Sequence, residues 1–466
     1  MHSSKIKKAT KIVVKLLVFL VICGIVSNII GYFVLPAKSY TRIQFHELYT
    51  TYGNAEDSKN MDLVFLGTSH AYRTFDTEYF DEKLNMETYN FGTSQQTLEG
   101  SYYVLKEILK TNQPKKVVFE LTYTCFNEKD YNPLKSVIIY QYMKPSLDKL
   151  KYLMADFPLE NIFNALIPAY TFREYLTADD IAPKILDKST DEYKNYDPAI
   201  TQTQTTEWME EKGFIYTDME FYNGWVGKTD PEAWTEQGMD TQKLEYLNKI
   251  IHLCKDNGID LVLVTSPNPR GTLLEVGNYN EINEYFTNIA ENNGIDYYNL
   301  NLIRPEILNL SDSEFYDATH VNGEGAQKVS QVFSDILKDR EEGTLDYNRY
   351  FYENFEEAEK NITKITNAYY DITEDDSNYY LTAKAYIGDG SDIEFQYLEE
   401  FKDETGRERI VLQDWSFNSE FILPKEGCEG RRIIVAARVA GSDLDIDSIE
   451  TQKSVTEFPV IIEEEE

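Results

Sequence analysis

Short apolar runs alternate with amphipathic segments through the middle of the chain. Runs rich in β-branched and aromatic residues predict five strands, at 62–66, 87–91, 116–121, 260–265 and 296–300. Apolar residues at helical spacing predict helices at 98–110, 241–257, 279–292 and 324–338. The Asn-Gly pairs at 257–258 and 293–294 are helix stop signals. Strands that alternate with helices in this way predict an α/β domain, with a parallel sheet covered on both faces.

Residues 127–240 interrupt this rhythm between the third and fourth predicted strands. The insertion is rich in Tyr, Trp and Phe and is predicted to form helices joined by irregular loops. Two interpretations stay open, a lid over the edge of the sheet and an elaboration of the packing. Its tryptophans, Trp208, Trp225 and Trp234, are candidates for stacking on sugars or for a core.

The character of the chain changes again after residue 346. A helical linker leads into short alternating runs at 379–387, 394–398, 409–413 and 432–439, which predict a small C-terminal β-sandwich over 346–466. The segments LQDWSFNSEFILPKEG and RRIIVAARVAGS resemble immunoglobulin-like tandem domains with a triple-tyrosine motif. The final four glutamates are predicted to form a solvated acidic tail.

The N-terminus carries an almost continuous apolar stretch at 16–35, which as a helix would span about 30 Å, the thickness of a bilayer core. Five lysines precede it, so we expect the N-terminus to stay in the cytoplasm and the rest of the chain to lie outside. A cleaved signal peptide would be shorter, and only residues 36–38 approach a cleavage site. A buried soluble helix would normally show a polar face. The prediction is a retained single-pass anchor over 1–36.

Composition narrows the classes of partner. The chain has 80 acidic and 45 basic residues, a net charge of −35, which excludes a nucleic-acid binder that relies on a broad basic surface. The apolar content of 42% excludes wholesale disorder. The four cysteines, at 23, 125, 254 and 428, form no CxxC pair and predict neither a disulfide framework nor a metal site. We expect no cofactor.

Two loops carry candidate chemistry. Residues 67–70 (GTSH) directly follow the first predicted strand, which would place the Ser69 hydroxyl at the carboxyl edge of the sheet, as a nucleophile or as a helix cap. Residues 317–320 (DATH) precede the last helix, where Asp317 could fix the tautomer of His320 so that its other nitrogen takes a proton from a serine. The alternative is a helix cap around Asn322 with His320 as a passive surface residue.

These motifs resemble the blocks of the SGNH, or GDSL-like, hydrolases and their acyltransferase relatives. Residues 67–69 (GTS) match the family's Gly-Asp-Ser block, 90–95 (NFGTSQ) its second block, and 317–325 (DATHVNGEG) its final Asp-x-x-His block. The resemblance spans about 60–340 and implies a three-layer, flavodoxin-like catalytic domain over 60–342. It further implies a triad of Ser69, His320 and Asp317, with the backbone N–H groups of Ser69 and Gln95 as the oxyanion hole.

The chain departs from the family pattern in two blocks. Gln95 stands where the family has the glycine that donates its backbone N–H. The third block normally supplies an Asn side chain, but residues 122–124 (TYT) follow the third strand here, with Asn127 a little later. One oxyanion donor is therefore missing or replaced, a loss that elsewhere costs roughly 10² to 10³ in rate.

The sequences GTSHAYRTFD and YNFGTSQQTLEG are similar to membrane-anchored SGNH-like proteins of Gram-positive bacteria, including the DltD type and those of polysaccharide O-acylation. This resemblance implies a serine acyltransferase or esterase that acts outside the cytoplasm, on the acyl group of a cell-surface polysaccharide or polyol polymer. It also implies a membrane O-acyltransferase as a partner. A different class stays open, a non-catalytic surface assembly or binding protein on a degenerate SGNH fold.

Overall fold

The computed structural model describes residues 2–53, 60–126, 133–173, 177–202, 206–220, 233–269, 272–273, 276–361, 365, 367–403, 406–428, 430–443 and 452–457. Trp225, Asn127 and the acidic tail lie outside these residues. The chain divides into two compact units. The first unit comprises Met1–Met219, Gly238–Val264 and Val329–Lys338, and the second comprises Glu220–Gln237, Thr265–Lys328 and Asp339–Glu466.

Helices and strands follow one another in the order that an α/β domain with a following β domain requires. The helices are α1 (His2–Val34), α2 (Tyr40–Tyr49), α3 (Ser69–Thr74), α4 (Thr77–Leu84), α5 (Leu98–Ile108), α6 (Pro133–Tyr142), α7 (Leu147–Asp156), α8 (Ile162–Leu166), α9 (Pro168–Thr171), α10 (Ala178–Ser189), α11 (Asp191–Asn195), α12 (Thr241–Asp256), α13 (Tyr279–Asn293), α14 (Gly323–Glu342), α15 (Tyr347–Tyr350) and α16 (Phe355–Glu359). The strands are β1 (Leu63–Leu66), β2 (Thr88–Asn90), β3 (Lys116–Glu120), β4 (Glu207–Met209), β5 (Ile215–Thr217), β6 (Asp260–Thr265), β7 (Asp296–Asn299), β8 (Asn367–Glu374), β9 (Asn378–Tyr386), β10 (Ile393–Asp403), β11 (Gly406–Ser416), β12 (Glu420–Pro424), β13 (Arg432–Val439) and β14 (Gln452–Glu457).

Four strands of the first unit pair in parallel, in the order β2-β1-β3-β6. Their side chains are almost all buried, as expected for strands covered on both faces. The five strands and four helices predicted for the α/β domain are confirmed, although several ends shift by a few residues. Since the strands are parallel, the loops after β1, β2 and β3 leave the sheet at the same edge.

Aromatic packing holds α3 and α4 against this sheet. The buried ring of Phe65 on β1 stacks on Phe75, with centroids 4.7 Å apart, and meets Phe80 edge-on at 4.8 Å. Phe333, from the part of α14 that belongs to the first unit, lies 5.5 Å from Phe75. These rings fix the direction in which the chain leaves β1.

The second unit contains two antiparallel sheets, in the orders β12-β9-β8 and β11-β10-β13-β14. Alternate residues of both sheets share one apolar core, which includes Leu381, Tyr397, Leu423, Ile433 and Val435. The predicted C-terminal sandwich is therefore present, and its immunoglobulin-like character stays a prediction. The linker that precedes the sandwich packs on α13 of the same unit. The ring of Phe355 in the linker lies 4.9 Å from the ring of Tyr279.

The N-terminal and inserted segments are helical in the main. The described part of the insertion forms α6 to α11 and the β4–β5 hairpin. Within the described ranges, no helix combines the length and apolar character that a bilayer crossing requires. The proposed domain boundaries stay predictions.

Candidate active site

Ser69 begins a helix at the carboxyl end of β1. Gly67 forms the turn with φ +138°, and a Cβ there would lie 2.8 Å from the Cβ of Glu120 and 3.0 Å from its carbonyl oxygen. Thr68 is the N-cap of α3, because its hydroxyl accepts a hydrogen bond from the backbone N–H of His70 at 3.2 Å. The sequence left open whether Ser69 caps a helix; the capping side chain is Thr68, and Ser69 is the first helical residue.

The second block lies directly against this turn. The backbone N–H of Thr93 donates to the carbonyl of Gly67 at 3.2 Å, and the Asn90 amide donates to the carbonyl of Ala71 at 2.9 Å. A Cβ at Gly92 would lie 2.9 Å from the backbone nitrogen of Tyr72, so only glycine permits this approach. The loop after β2 and the turn after β1 therefore form one packed structure in the first unit.

Gln95 lies at the tip of the second block. Its backbone is left-handed, with φ +50°, and its side chain is exposed. Among the described residues, none accepts a hydrogen bond from its backbone N–H. The next residue is firmly held, since the Gln96 amide donates to the carbonyl of Phe91 at 3.0 Å and to the hydroxyl of Thr93 at 3.1 Å. An available N–H on an anchored loop suits an oxyanion donor, and this role stays a prediction.

A buried carboxylate that the sequence reasoning missed lies behind the turn. Glu120, at the end of β3, is 2% exposed and accepts hydrogen bonds from the hydroxyls of Thr68 at 3.2 Å and Thr122 at 2.9 Å. The two hydroxyl oxygens are 3.4 Å apart. The signal that could have indicated this site is a carboxylate at the carboxyl end of a buried strand (KVVFE).

His70 is the other titratable group at the turn. It is buried, and its Nδ1 lies 3.2 Å from the hydroxyl of Thr68. The Thr68 hydroxyl, which also donates to Glu120 at 3.2 Å, therefore connects the His70 ring to this carboxylate. The turn around Ser69 is thus linked by hydrogen bonds to β3.

Asp317 and His320 form a close pair in the second unit. Nδ1 of His320 lies 2.9 Å and 3.0 Å from the two carboxylate oxygens of Asp317. The same carboxylate accepts the backbone N–H groups of Thr319 at 2.8 Å and His320 at 2.9 Å. An aspartate in this position holds the proton on Nδ1, so that the lone pair lies on Nε2.

The pKa of Asp317 reflects this environment. Burial alone would raise it, but the hydrogen bond and the charge of His320, with the two backbone N–H groups, hold the pKa of Asp317 well below its usual range. The carboxylate therefore stays ionised at neutral pH. An ionised partner is what stabilises an imidazolium that forms during a proton transfer.

The loop that carries the pair is closed by the start of α14. Asn322 is the N-cap of this helix and accepts from the backbone N–H of Gly325 at 3.0 Å, while its amide donates to the carbonyl of Ser313 at 2.7 Å. A Cβ at Gly325 would lie 2.2 Å from the carbonyl oxygen of Glu314. The cap around Asn322 and the Asp317–His320 pair therefore exist together, and neither interpretation excludes the other.

The structure thus groups the predicted site residues in two sets. Ser69 and the second block that carries Gln95 lie together in the first unit, and Asp317 and His320 lie together in the second. The contact between Ser69 and His320 that a triad requires stays a prediction. In the part of the chain that the structure describes, no group of His, Cys, Asp or Glu side chains could hold a metal ion.

The two described tryptophans of the insertion pack on tyrosines. Trp208 on β4 lies 4.9 Å from the ring of Tyr216 across the β4–β5 hairpin. Trp234, in the second unit, lies 5.3 Å from the ring of Tyr285. Both rings are partly exposed, so neither tryptophan serves only to fill a core.

Comparison with known proteins gives a family and several distant structures. A GDSL-like lipase from Bacteroides thetaiotaomicron is 13% identical over 61% of this chain and 88% of its own, with a TM-score of 0.27. An acetyl xylan esterase from Butyrivibrio proteoclasticus is 11% identical over 61% of this chain and 64% of its own, with a TM-score of 0.24. A two-domain esterase active on acetylated mannans is 10% identical over 86% of this chain and 92% of its own, with a TM-score of 0.20.

No curated protein matches the chain. The model of one family does match, over residues 37–332, which is more than half of the chain. The chain belongs to this family, described as Protein of unknown function (DUF1574).

Proposed function

We propose that the chain is a serine esterase or acyltransferase of the SGNH type, held at the cell membrane with its catalytic residues outside the cytoplasm. Its substrate is an acyl group, most simply acetyl, on a cell-surface polysaccharide or polyol polymer. The observation that carries the proposal is the Asp317 carboxylate 2.9 Å from Nδ1 of His320, on a loop whose own N–H groups fix that carboxylate.

In the proposed first step, the Ser69 hydroxyl attacks the ester carbonyl while Nε2 of His320 takes its proton. Asp317 stabilises the imidazolium that results. The backbone N–H groups of Ser69 and Gln95 donate to the oxyanion of the tetrahedral intermediate. His320 then returns the proton to the leaving alkoxide, which departs as an alcohol and leaves an acyl-serine.

The second step regenerates the serine. A sugar or polyol hydroxyl, or water, gives its proton to His320 and attacks the acyl-serine, and Ser69 leaves with that proton. The chemistry is the same for a transferase and an esterase, and the acceptor alone distinguishes them. Partly exposed aromatic side chains such as Trp208 are suited to stacking on a sugar acceptor.

Charge and the N-terminal sequence support the location and the substrate class. A chain with a net charge of −35 accepts a neutral glycan more easily than a polyanion. The apolar residues 16–35 and the preceding lysines favour a membrane location with the bulk of the chain outside. A membrane O-acyltransferase that delivers the acyl group is the expected partner.

The test is turnover of an acetylated chromogenic ester with and without a polyol acceptor. We expect acetate release and, with the acceptor present, an acetylated polyol, both absent in Ser69→Ala. Ser94→Ala, in the neighbouring second block, is the matched control and should retain activity. Acetylated polyol at the expense of acetate indicates a transferase, whereas acetate alone indicates an esterase. No turnover with any acyl ester would favour the non-catalytic assembly protein.

A further inference from the structure

The short helices α8 and α9 present apolar side chains to solvent. Five residues between 159 and 170, which we call the 159–170 surface, are exposed: Leu159, Phe163, Leu166, Ile167 and Tyr170. Leu159 is 77% exposed and Phe163 59%. No charged residue lies between Glu160 and Arg173, although 27% of the whole chain is charged. Such a patch on a soluble surface is a marker of an interaction site.

This surface packs directly on the apolar helix α1. The hydroxyl of Ser27 donates to the carbonyl of Leu166 at 3.3 Å, and a Cβ at Gly31 would lie 3.3 Å from Cγ of Pro168. Ser27 lies eight residues before the end of the apolar stretch, about 12 Å along the helix. The 159–170 surface therefore lies beside the last two turns or so of α1 and not at its tip.

The neighbouring residues of α1 are also apolar and exposed. They include Ile22, Ile25, Val26, Ile29 and Ile30. The exposed aromatic residues Tyr32 and Phe33 lie close to the end of the stretch, as aromatic residues do at a membrane interface. Two exposed apolar segments, distant in sequence, are thus brought together in one unit.

The end of α1 is closed by a lysine from the same region. The ammonium of Lys188 on α10 donates to the carbonyls of Leu35, at 2.7 Å, and of Tyr32. Burial is the largest cause that lowers its pKa to about 8. The carbonyls at the end of α1 are therefore paired by a side chain that joins α10 to the helix.

We propose that the 159–170 surface docks on a lipid bilayer, with its side chains in the interfacial region beside α1. Interfacial elements bury apolar side chains about 5–10 Å below the headgroups, and the two contacts with α1, at Gly31 and Ser27, lie about 6 Å and about 12 Å from the end of the apolar stretch. The contact needs lipid around α1 and not a complete crossing. It rests on the membrane location proposed above, and not on the chemistry at Ser69. Its consequence is that α8 and α9 fix the first unit against the membrane.

The test uses the full chain in vesicles of phosphatidylcholine and phosphatidylglycerol whose acyl chains carry bromine, a short-range quencher of tryptophan. A Phe163→Trp variant reports from the 159–170 surface. Phe417→Trp, at a ring of the sandwich that is 67% exposed, is the matched control. The emission of the unsubstituted chain, which has four tryptophans, is subtracted.

We expect the added emission of Phe163→Trp to be blue-shifted and mostly lost in brominated vesicles, whereas that of Phe417→Trp is unchanged. Tyr170→Trp should repeat the result if Phe163→Trp fails to fold. If both variants float with the vesicles and Phe163→Trp is not quenched, the lipid contact is overturned. A blue-shifted emission without quenching means that protein covers the surface, which also overturns it. Failure to float with the vesicles overturns the membrane location as well, while turnover of the acyl ester is measured separately.

Discussion

The turn around Ser69 and the loop around His320 are built alike but supported differently. Both lead into a helix whose N-cap is a polar side chain, Thr68 in one case and Asn322 in the other. Both contain a glycine at which a Cβ would collide with a carbonyl oxygen, 3.0 Å away at Gly67 and 2.2 Å away at Gly325. The shared features fix where each helix begins.

The turn around Ser69 and the loop around His320 differ in the carboxylate that supports each of them. Asp317 is three residues from His320, its side chain is 41% exposed, and it is held by N–H groups of its own loop. Glu120 is 52 residues from Thr68, reaches it from another strand and is 2% exposed. One loop is therefore self-supporting, while the other depends on the pairing of β1 with β3. Substitutions at the two carboxylates should fail in different ways.

The largest expected effect is on turnover by Asp317→Asn. The amide no longer favours the Nδ1–H tautomer or stabilises the imidazolium, so we expect kcat to fall by about 10⁴ with little change in KM. Glu324→Gln, an exposed change four residues beyond His320, is the control and should leave kcat unchanged. The measurement is steady-state hydrolysis of an acetyl ester. An Asp317→Asn enzyme with normal kcat would remove Asp317 from the mechanism.

The next effect is on stability, through Gly67→Ala and Gly325→Ala. Each new methyl meets backbone or buried atoms, and we expect each to lower the free energy of unfolding by about 2–3 kcal/mol. Gly258→Ala is the control, because its φ is positive, as at Gly67, but nothing lies within 4 Å of the new Cβ, so only backbone strain of about 1 kcal/mol remains. Denaturant unfolding measures all three. Equal losses of unfolding free energy at the three glycines would show that the short distances at Gly67 and Gly325 do not affect stability.

Glu120→Gln should affect stability more than Asp317→Asn does. Gln still accepts from one threonine, but its NH₂ group finds a hydroxyl that already donates, which we expect to cost about 1–3 kcal/mol of unfolding free energy. Displacement of the turn should also lower kcat by roughly tenfold. Unfolding and turnover measured on the same preparation separate the two effects. A Glu120→Gln protein as stable as the unsubstituted chain would contradict the structural role of Glu120.

The smallest effect is the pH dependence of stability. The pKa of Asp317 is below its unfolded value of about 3.9, so its contribution is present above that pH and is lost as the pH falls further. Burial raises the pKa of Glu99 to about 7, so its contribution is present below about pH 4.3 and is lost as the pH rises toward 7.

Because the pKa of Asp317 is lowered and that of Glu99 is raised, the two variants should show opposite changes of stability with pH. The stability difference between the unsubstituted chain and Asp317→Asn should shrink below about pH 4. The difference from Glu99→Gln should change between about pH 4 and 7, in favour of the variant at the higher pH. Chemical unfolding across this range measures both, and parallel curves for either variant would contradict the corresponding assignment.

The sequence predicted what depends on neighbouring residues. The strands end within about a residue of their predicted ends because buried runs of β-branched and aromatic residues have clear limits. The spacing of Asp317 and His320 was enough to predict their contact, because a short loop closes on itself. The role of Glu120 was not predictable, since it depends on the register in which Leu66 pairs with Phe119. The ion pair of Arg73 with Glu207 was also missed, because it joins residues that are 134 positions apart in the sequence.

The central claim is that His320, held by Asp317, makes Ser69 nucleophilic. Its most direct test is covalent labelling of the folded chain by a serine-directed fluorophosphonate, with the labelled peptide identified by mass spectrometry. We expect the label on Ser69, at a rate that falls by several orders of magnitude in His320→Gln and Asp317→Asn. A chain in which Ser69 stays unlabelled, or is labelled as fast without His320, would contradict the account.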